Sequence, residues 1–135
     1  MLTFSELNWL AIIVAALVFF GLAAVWYQPR VMGKKWMDAA GVEPSGDGPN
    51  PMMFLGTLVA YFIMALVLAM IASAAGASSF GDGLVLGLAT GIAFVVGQAW
   101  INATYEGRSK NLVVVNGGIG LIGHVVMAVI VTVWG

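Results

Sequence analysis

Four long apolar runs, each free of Lys, Arg, Asp and Glu, constrain this chain more than any other feature. They cover residues 8–27, 53–75, 84–104 and 112–134. A helix needs about 20 mostly apolar residues to cross the hydrocarbon core of a bilayer, so each run is long enough. A transmembrane β-barrel would need shorter segments of alternating polarity, which these runs lack. The pattern therefore predicts an all-α integral membrane bundle of four transmembrane helices.

Composition supports the membrane assignment and argues against several other classes. The chain is 61% hydrophobic and 8% charged, whereas a soluble domain carries about 25% charged residues. A net charge of −1 gives no overall field for binding nucleic acid. Without cysteine there are no disulfides and no thiolate chemistry. We expect the whole chain, residues 1–135, to form a single domain.

The positive charges predict the orientation of the helices. All of them lie in the two loops that follow the first and third runs, at Arg30, Lys34, Lys35, Arg108 and Lys110. The positive-inside rule places these two loops in the cytoplasm and therefore both termini outside.

The loop after the first run contains a candidate interfacial helix. On a helical wheel over residues 30–40, Trp36 and the alanines lie opposite Lys34, Lys35 and Asp38. This pattern predicts a short cytoplasmic interfacial helix whose lysines face anionic lipid headgroups. A solvated basic loop that only sets topology is the alternative. Residues 43–51 are rich in Pro, Gly and Ser, so a flexible connector is expected there.

Small residues recur at four-residue spacing in the last two runs. Gly87 and Gly91 continue from Gly83 in the third run, and Gly120 lies midway between Asn116 and His124 in the fourth. A four-residue step keeps side chains on one helix face, and small residues let membrane helices approach closely. Gly87, Gly91 and Gly120 are therefore predicted helix-packing glycines.

Four polar side chains lie on the same predicted faces and form a candidate interhelical stripe. They are Gln98, Asn102, Asn116 and His124. An unpaired buried amide costs roughly 2–7 kcal/mol, while interhelical hydrogen bonds in membranes return only about 0.6 kcal/mol on average. The stripe is therefore expected to fix helix register by pairing across a tight interface. A solvated pathway and a small-ligand pocket are the alternatives.

His124 is the only ionisable side chain inside a run, which makes it a candidate for proton transfer. Because the runs contain no Asp or Glu, a neutral imidazole bonded to a neighbour is the favoured interpretation. A lone histidine cannot form a zinc site, which generally takes three or four protein ligands. We therefore predict no metal, cofactor or catalytic site.

Several short motifs, taken in order, resemble a known family. They are Asn8-Trp9, Trp26-Tyr27-x-Pro29, Gly33-x-x-Trp36-Met37, Asn102-Ala103-x-Tyr105-Glu106-Gly107-Arg108-Ser109 and Val115-Asn116-x-Gly118. Together they resemble the bacterial membrane family known as domain of unknown function 1761. The resemblance implies a multi-pass, four-helix protein of the bacterial inner (cell) membrane. The resemblance implies no particular activity for this chain. The chain departs from the family pattern at Ile119 and His124, which favours the residues near the ends of the helices as functional positions.

Three functional hypotheses follow. The leading one is a non-enzymatic assembly or interaction protein, a homo-oligomer in contact with membrane lipids and not with nucleic acid, whose protein partner the sequence does not identify. The alternative is a transporter or channel for small solutes or ions, formed by oligomerisation and lined by the polar stripe. A membrane enzyme ranks third, because Asp38, Tyr105 and Glu106 show no pairing of nucleophile and base.

Overall fold

The computed structural model describes residues 1–42 and 51–135, and the regular structure in this part of the chain is helical throughout. The helices are α1 (Trp9–Trp26), α2 (Gly33–Ala40), α3 (Pro51–Ala75), α4 (Phe80–Thr90), α5 (Gly97–Tyr105) and α6 (Lys110–Val133). A π-helix, Gly91–Val96, joins α4 to α5. These three segments form one continuous third span, Phe80–Tyr105.

Four of the helices are long and apolar enough to cross a membrane: α1, α3, the third span and α6. The predicted all-α fold with four such helices is confirmed. The largest difference from the predicted bounds is at the third span, which begins at Phe80 rather than at residue 84. The cause is a capping box, in which Ser79 Oγ accepts from the Asp82 amide at 3.0 Å and Asp82 Oδ2 accepts from the Ser79 amide at 3.1 Å. Such a box satisfies amides that the first helical turn leaves unpaired.

Helix α6 is the centre of the bundle, since it contacts every other helix. On one side it packs with α1 and α3 around a core that includes Ile12, Phe19, Leu68 and Met127. On the other side it packs along the third span, which has few contacts with α3. The third span is therefore attached to the bundle mainly through α6, and the contact between these two helices positions most of the predicted polar residues.

The predicted helix after α1 is present but shorter than expected, since α2 begins at Gly33 rather than at residue 30. A tight turn precedes it, and the Gly33 amide donates to the Gln28 carbonyl at 2.9 Å. A Cβ atom at Gly33 would collide with the Tyr27 carbonyl, so glycine is required there. Lys34 and Lys35 are exposed. Of the predicted connector 43–51, residues 43–50 lie outside the described residues, and Pro51 begins α3.

Candidate functional site

One end of the bundle, here called the basic end, brings together residues that carried the family resemblance. Trp26 Nε1 donates to the Val115 carbonyl at 3.0 Å, and the Tyr27 hydroxyl donates to Asn116 Oδ1 at 2.7 Å. The Trp26 ring also lies over Gly118, where a Cβ atom would come within 3.3 Å of it. The end of α1 is thus fastened to α6 by two hydrogen bonds and one close ring contact.

The same cluster extends to α2. The rings of Tyr27 and Trp36 meet edge to face, with centroids 6.1 Å apart. Tyr27 therefore contacts α2 through its ring and α6 through its hydroxyl. Tyr27 and Asn116 both belong to motifs that carry the family resemblance, but the hydrogen bond between them was not predicted. The only sequence signal for this hydrogen bond was a tyrosine at the end of one span and an asparagine in another span.

A cleft of about 350 Å³ opens between the third span and α6 at the basic end. Its polar lining residues are Gln98, Asn102, Asn116, Glu106 and Arg108, and we call it the amide cleft. Glu106 and Arg108 form an ion pair of 3.6 Å, and both side chains are about half exposed. The cleft combines amide hydrogen-bonding groups with one charge of each sign, so it is suited to polar molecules or polar protein surfaces.

The structure divides the four predicted stripe residues between separate places. Gln98, Asn102 and Asn116 line the amide cleft, and His124 does not. Gln98 Nε2 donates to Asn102 Oδ1 at 2.8 Å within the same helix, and both residues are exposed. Asn116 bonds to Tyr27 on α1. In the described part of the chain, the four residues therefore do not form one network across the helix pair.

The π-helix explains why Gln98 and Asn102 are exposed in the amide cleft instead of being packed against α6. Hydrogen bonds of the i→i+5 type place one extra residue in a turn, which shifts the residues that follow by one position. Regular α-helical spacing from Gly91 leads to Gln98 and Asn102, whereas the structure buries their neighbour Ala103 and half-buries Ala99. The spacing of an uninterrupted α-helix therefore predicts the residue before each of these alanines.

The predicted packing glycines lie where the third span and α6 approach closely. A Cβ atom at Gly87 would lie 2.6 Å from Val125 Cα, and one at Gly91 would lie 2.7 Å from Leu121 Cδ1. A Cβ atom at Gly120 would lie 2.6 Å from Val95 Cγ1. These glycines contact other helices of their own chain, so they do not supply a surface for association with another chain.

His124 lies inside this tight contact. Thr90 Oγ1 lies 2.7 Å from the Leu86 carbonyl and 2.7 Å from His124 Nε2. One arrangement satisfies both contacts: the hydroxyl, with its single proton, donates to the Leu86 carbonyl and accepts from His124 Nε2 when that nitrogen carries the ring proton. His124 Nδ1 is buried without a hydrogen-bond partner among the described residues. The hydrogen-bond partner of His124 is therefore Thr90 rather than a member of the predicted stripe.

The fold and these sites define a helical protein with four helices of membrane-spanning length, a tight glycine contact and a polar cleft near the basic end. A family model described as a protein of unknown function (DUF1761) matches residues 10–132. The chain belongs to this family, as the motifs suggested. Comparisons with curated proteins and with solved structures found no match.

Proposed function

We propose that this protein is a non-enzymatic integral membrane protein that assembles with further copies of itself through the outward surface of α5. The observation that carries this proposal is the exposure of Gln98 and Asn102 on a helix long and apolar enough to cross a bilayer. Gln98 lies seven residues before Tyr105, the last residue of α5. At 1.5 Å per residue, it is about 10 Å from the end of the span.

Hydrogen-bonding capacity explains why this surface favours a partner. Each of these amides has two N–H donors and a carbonyl oxygen with two lone pairs, and the bond between Gln98 and Asn102 uses one donor and one lone pair. If the remaining donors and lone pairs stayed unpaired in hydrocarbon, the cost in free energy would be comparable to that of an unpaired buried amide, roughly 2–7 kcal/mol. The Gln98 and Asn102 side chains of a second copy can pair with these groups, because each amide has both hydrogen-bond donors and an acceptor.

Large exposed side chains flank the two amides. Phe94, which lines the amide cleft with them, is 71% exposed, and Tyr105, three residues after Asn102, is 88% exposed. Aromatic residues are enriched at protein interfaces because they bury large areas with little loss of rotamer freedom. A surface that combines amides and aromatics is therefore suited to an interface between copies.

The proposal includes an orientation in the bacterial inner membrane. The five Lys and Arg residues lie at the basic end, while Glu6 and Asp82 lie at the opposite end. By the positive-inside rule the basic end faces the cytoplasm, and both termini face outward. A cysteine introduced at Ser78 should then react with an impermeant thiol reagent added outside intact cells, whereas one introduced at Gly107 should not.

The assembly proposal is tested by oligomer size in lipid nanodiscs. We expect the wild-type protein to form a dimer or larger species, and a Q98L/N102L double variant to shift towards the monomer with unchanged helix content. Thr57→Val is the matched control, because Thr57 is an exposed polar residue on α3 that bonds only its own helix. A monomeric wild-type protein, or a double variant of wild-type size, would contradict the proposal.

A small-solute transporter or channel is the second candidate, and the amide cleft favours it. The cleft lies at the basic end and contains three of the four predicted polar residues. Because it is open at the surface of one chain, a continuous pathway would require a second copy to complete it. Proteoliposomes containing the protein should then conduct small solutes, ions or protons, and Asn102→Leu should block that flux. If intact oligomers show no flux, the transport hypothesis is wrong and assembly without transport remains.

A further inference from the structure

Three exposed cations lie within six residues of the chain at the basic end. They are Arg30, Lys34 and Lys35, and we call them the cationic patch. Their side chains make no hydrogen bond or ion pair with another described residue. Asp38 follows Lys34 by one helical turn, but the two do not pair, in keeping with the weaker interaction of a lysine that precedes its acid in a helix. The charge of the patch can therefore be matched by an anion from outside the chain.

The other cations of the basic end are already engaged. Arg108 forms the ion pair with Glu106. Lys110 Nζ lies 4.0 Å from the centroid of the Trp100 ring and donates to Thr104 Oγ1 at 2.7 Å. Because these contacts use part of their charge and some of their N–H donors, Arg108 and Lys110 are weaker candidates for binding an external anion. This contrast singles out the cationic patch.

The backbone places the cationic patch where α1 leaves the membrane. Helix α1 has 18 residues, which at 1.5 Å per residue gives about 27 Å, close to the roughly 30 Å of the hydrocarbon core of a bilayer. The chain then turns back at once, since the Met32 amide donates to the carbonyl of Trp26, the last residue of α1, at 2.9 Å. The patch therefore lies next to the end of the span, at the level of the lipid headgroups.

Helix α2 holds the two lysines in a fixed position. A Cβ atom at Gly33 would collide with the Tyr27 carbonyl, so the start of α2 packs directly on the end of α1. Trp36 is half-buried and meets the Tyr27 ring edge to face, and α2 also contacts α6. Lys34 and Lys35 stay exposed. Since the backbone that carries them is already ordered, binding an anion loses less conformational entropy than it would on a flexible loop.

We propose that the cationic patch binds the phosphate of an anionic phospholipid headgroup. Its depth favours a lipid over a soluble anion, because the patch begins where α1 leaves the hydrocarbon core. Its charge favours a headgroup that is negative overall, since each Lys or Arg near an anionic membrane surface contributes favourable free energy, whereas a zwitterionic headgroup carries a compensating ammonium group. The exposed lysines then have a ligand and do not serve topology alone.

The lipid site goes beyond the proposed assembly. It requires α1 to span the membrane, but it does not require a second copy of the chain. None of the patch residues lines the amide cleft. Lipid binding and oligomer size can therefore fail independently.

Two phospholipids with identical acyl chains test the site. In native mass spectrometry of delipidated protein, phosphatidylglycerol should bind at least about thirtyfold more tightly than phosphatidylcholine. The K34Q/K35Q variant should bind phosphatidylglycerol about thirtyfold more weakly than wild type, about fivefold for each lysine, with phosphatidylcholine binding unchanged. The K34R/K35R variant keeps the charge and should bind both lipids as the wild-type protein does.

A comparison of single variants tests the contrast between engaged and unpaired cations. Lys35→Gln should weaken phosphatidylglycerol binding about fivefold. Lys110→Gln removes the same charge at the same end of the bundle, but it should change that binding less than about twofold, because Lys110 is already held by Trp100 and Thr104. Equal losses in the two variants would contradict a site formed by the cationic patch.

Gly33→Ala keeps every charge and tests whether the position of α2 matters. The added methyl group must displace the start of α2 from the Tyr27 carbonyl, so phosphatidylglycerol binding should weaken about fivefold, as for the loss of one lysine. Gly21→Ala on α1 is the matched control, since nothing lies within 4 Å of a Cβ atom there. Circular dichroism checks that the long helices are intact in both variants.

Several results would overturn the proposal. They are a wild-type protein without preference for phosphatidylglycerol, a K34Q/K35Q variant that keeps the wild-type preference, and equal binding by the Gly33→Ala and Gly21→Ala variants. Displacement of phosphatidylglycerol by inorganic phosphate at constant ionic strength would also contradict it, because the patch would then take a soluble anion. Loss of binding in K34Q/K35Q with unchanged oligomer size in nanodiscs would support a lipid site separate from the assembly surface.

Discussion

The third span contacts α6 in two different ways along its length. In α4, Gly83 and Gly87 bring the two backbones so close that a Cβ atom at either position would lie within 2.8 Å of a backbone atom of α6. In α5, Ala103 is buried and Ala99 is half-buried, and both line the amide cleft that opens between this part of the span and α6. The same pair of helices therefore forms a tight half and an open half.

The difference separates a contact that holds the third span in place from the surface that we propose for assembly. The tight half buries glycine and holds His124 against Thr90, so the third span is fixed to the bundle there. The open half exposes amides that have hydrogen-bonding capacity to spare. The boundary between them is the π-helix Gly91–Val96, and π-helical turns occur frequently at functional sites. Its extra residue leaves Gln98 and Asn102 exposed in the amide cleft instead of packed against α6.

The largest expected effect comes from filling the tight half. Gly87→Leu should destabilise the protein by about 3 kcal/mol, because the new side chain meets the backbone at Val125 and the helices must separate. Unfolding in a mixed detergent titration followed by circular dichroism measures the change. Gly56→Leu on α3 is the matched control, since nothing lies within 4 Å of a Cβ atom there. Equal stability of the two variants would contradict the close contact.

The next largest effect tests the shift caused by the π-helix. Ala103 is 5% exposed and faces the bundle, so Ala103→Leu should overpack it and cost about 2 kcal/mol. Asn102→Leu changes the preceding, exposed residue and should leave the stability of the monomer within about 0.5 kcal/mol of wild type. The same detergent titration compares both. An uninterrupted α-helix would reverse the order of the two variants.

Most of the fold could be predicted from the sequence, because the physics of the bilayer allows few solutions. Runs without charge are the requirement for a spanning helix, and the observed helices follow them closely. Glycines at four-residue spacing also indicated where two helices could approach. In α4 that spacing lies on one face of a regular helix, so the inference did not depend on any long-range information.

The candidate site could be predicted only in part, for a physical reason in each case. Gln98 and Asn102 were assigned to the α6 face because nothing in Gly91–Val96 signals a π-helix. Thr90 was not identified as the partner of His124, since a threonine in a span ordinarily bonds only its own helix. The cavity between the start of α1 and the ends of α3 and α6 depends on packing among these three helix ends, and residue spacing along one helix carries no information about such packing.

A smaller effect is expected from the single polar contact in the tight half. Thr90→Val removes the hydroxyl that hydrogen-bonds to His124 Nε2 and leaves a buried ring nitrogen unpaired, which should cost about 1.5 kcal/mol. Thr90→Ser keeps the hydroxyl and should recover most of that loss. The detergent titration reports both values. If the two variants are equally stable, His124 has found another partner and the tight half does not depend on this bond.

The smallest effect concerns Tyr27, which fastens α1 to the wall of the open half. Tyr27→Phe removes the hydroxyl that donates to Asn116 Oδ1 at 2.7 Å and should cost about 1 kcal/mol, the usual net value of one hydrogen bond. Tyr105→Phe is the control, because Tyr105 is 88% exposed and its loss should change stability little. A double-mutant cycle with Asn116→Leu isolates the bond itself. A coupling energy near zero would show that Asn116 is held by α6 alone, so that the cleft wall does not depend on α1. A coupling close to the full loss would show that α1 sets the position of an amide in the cleft.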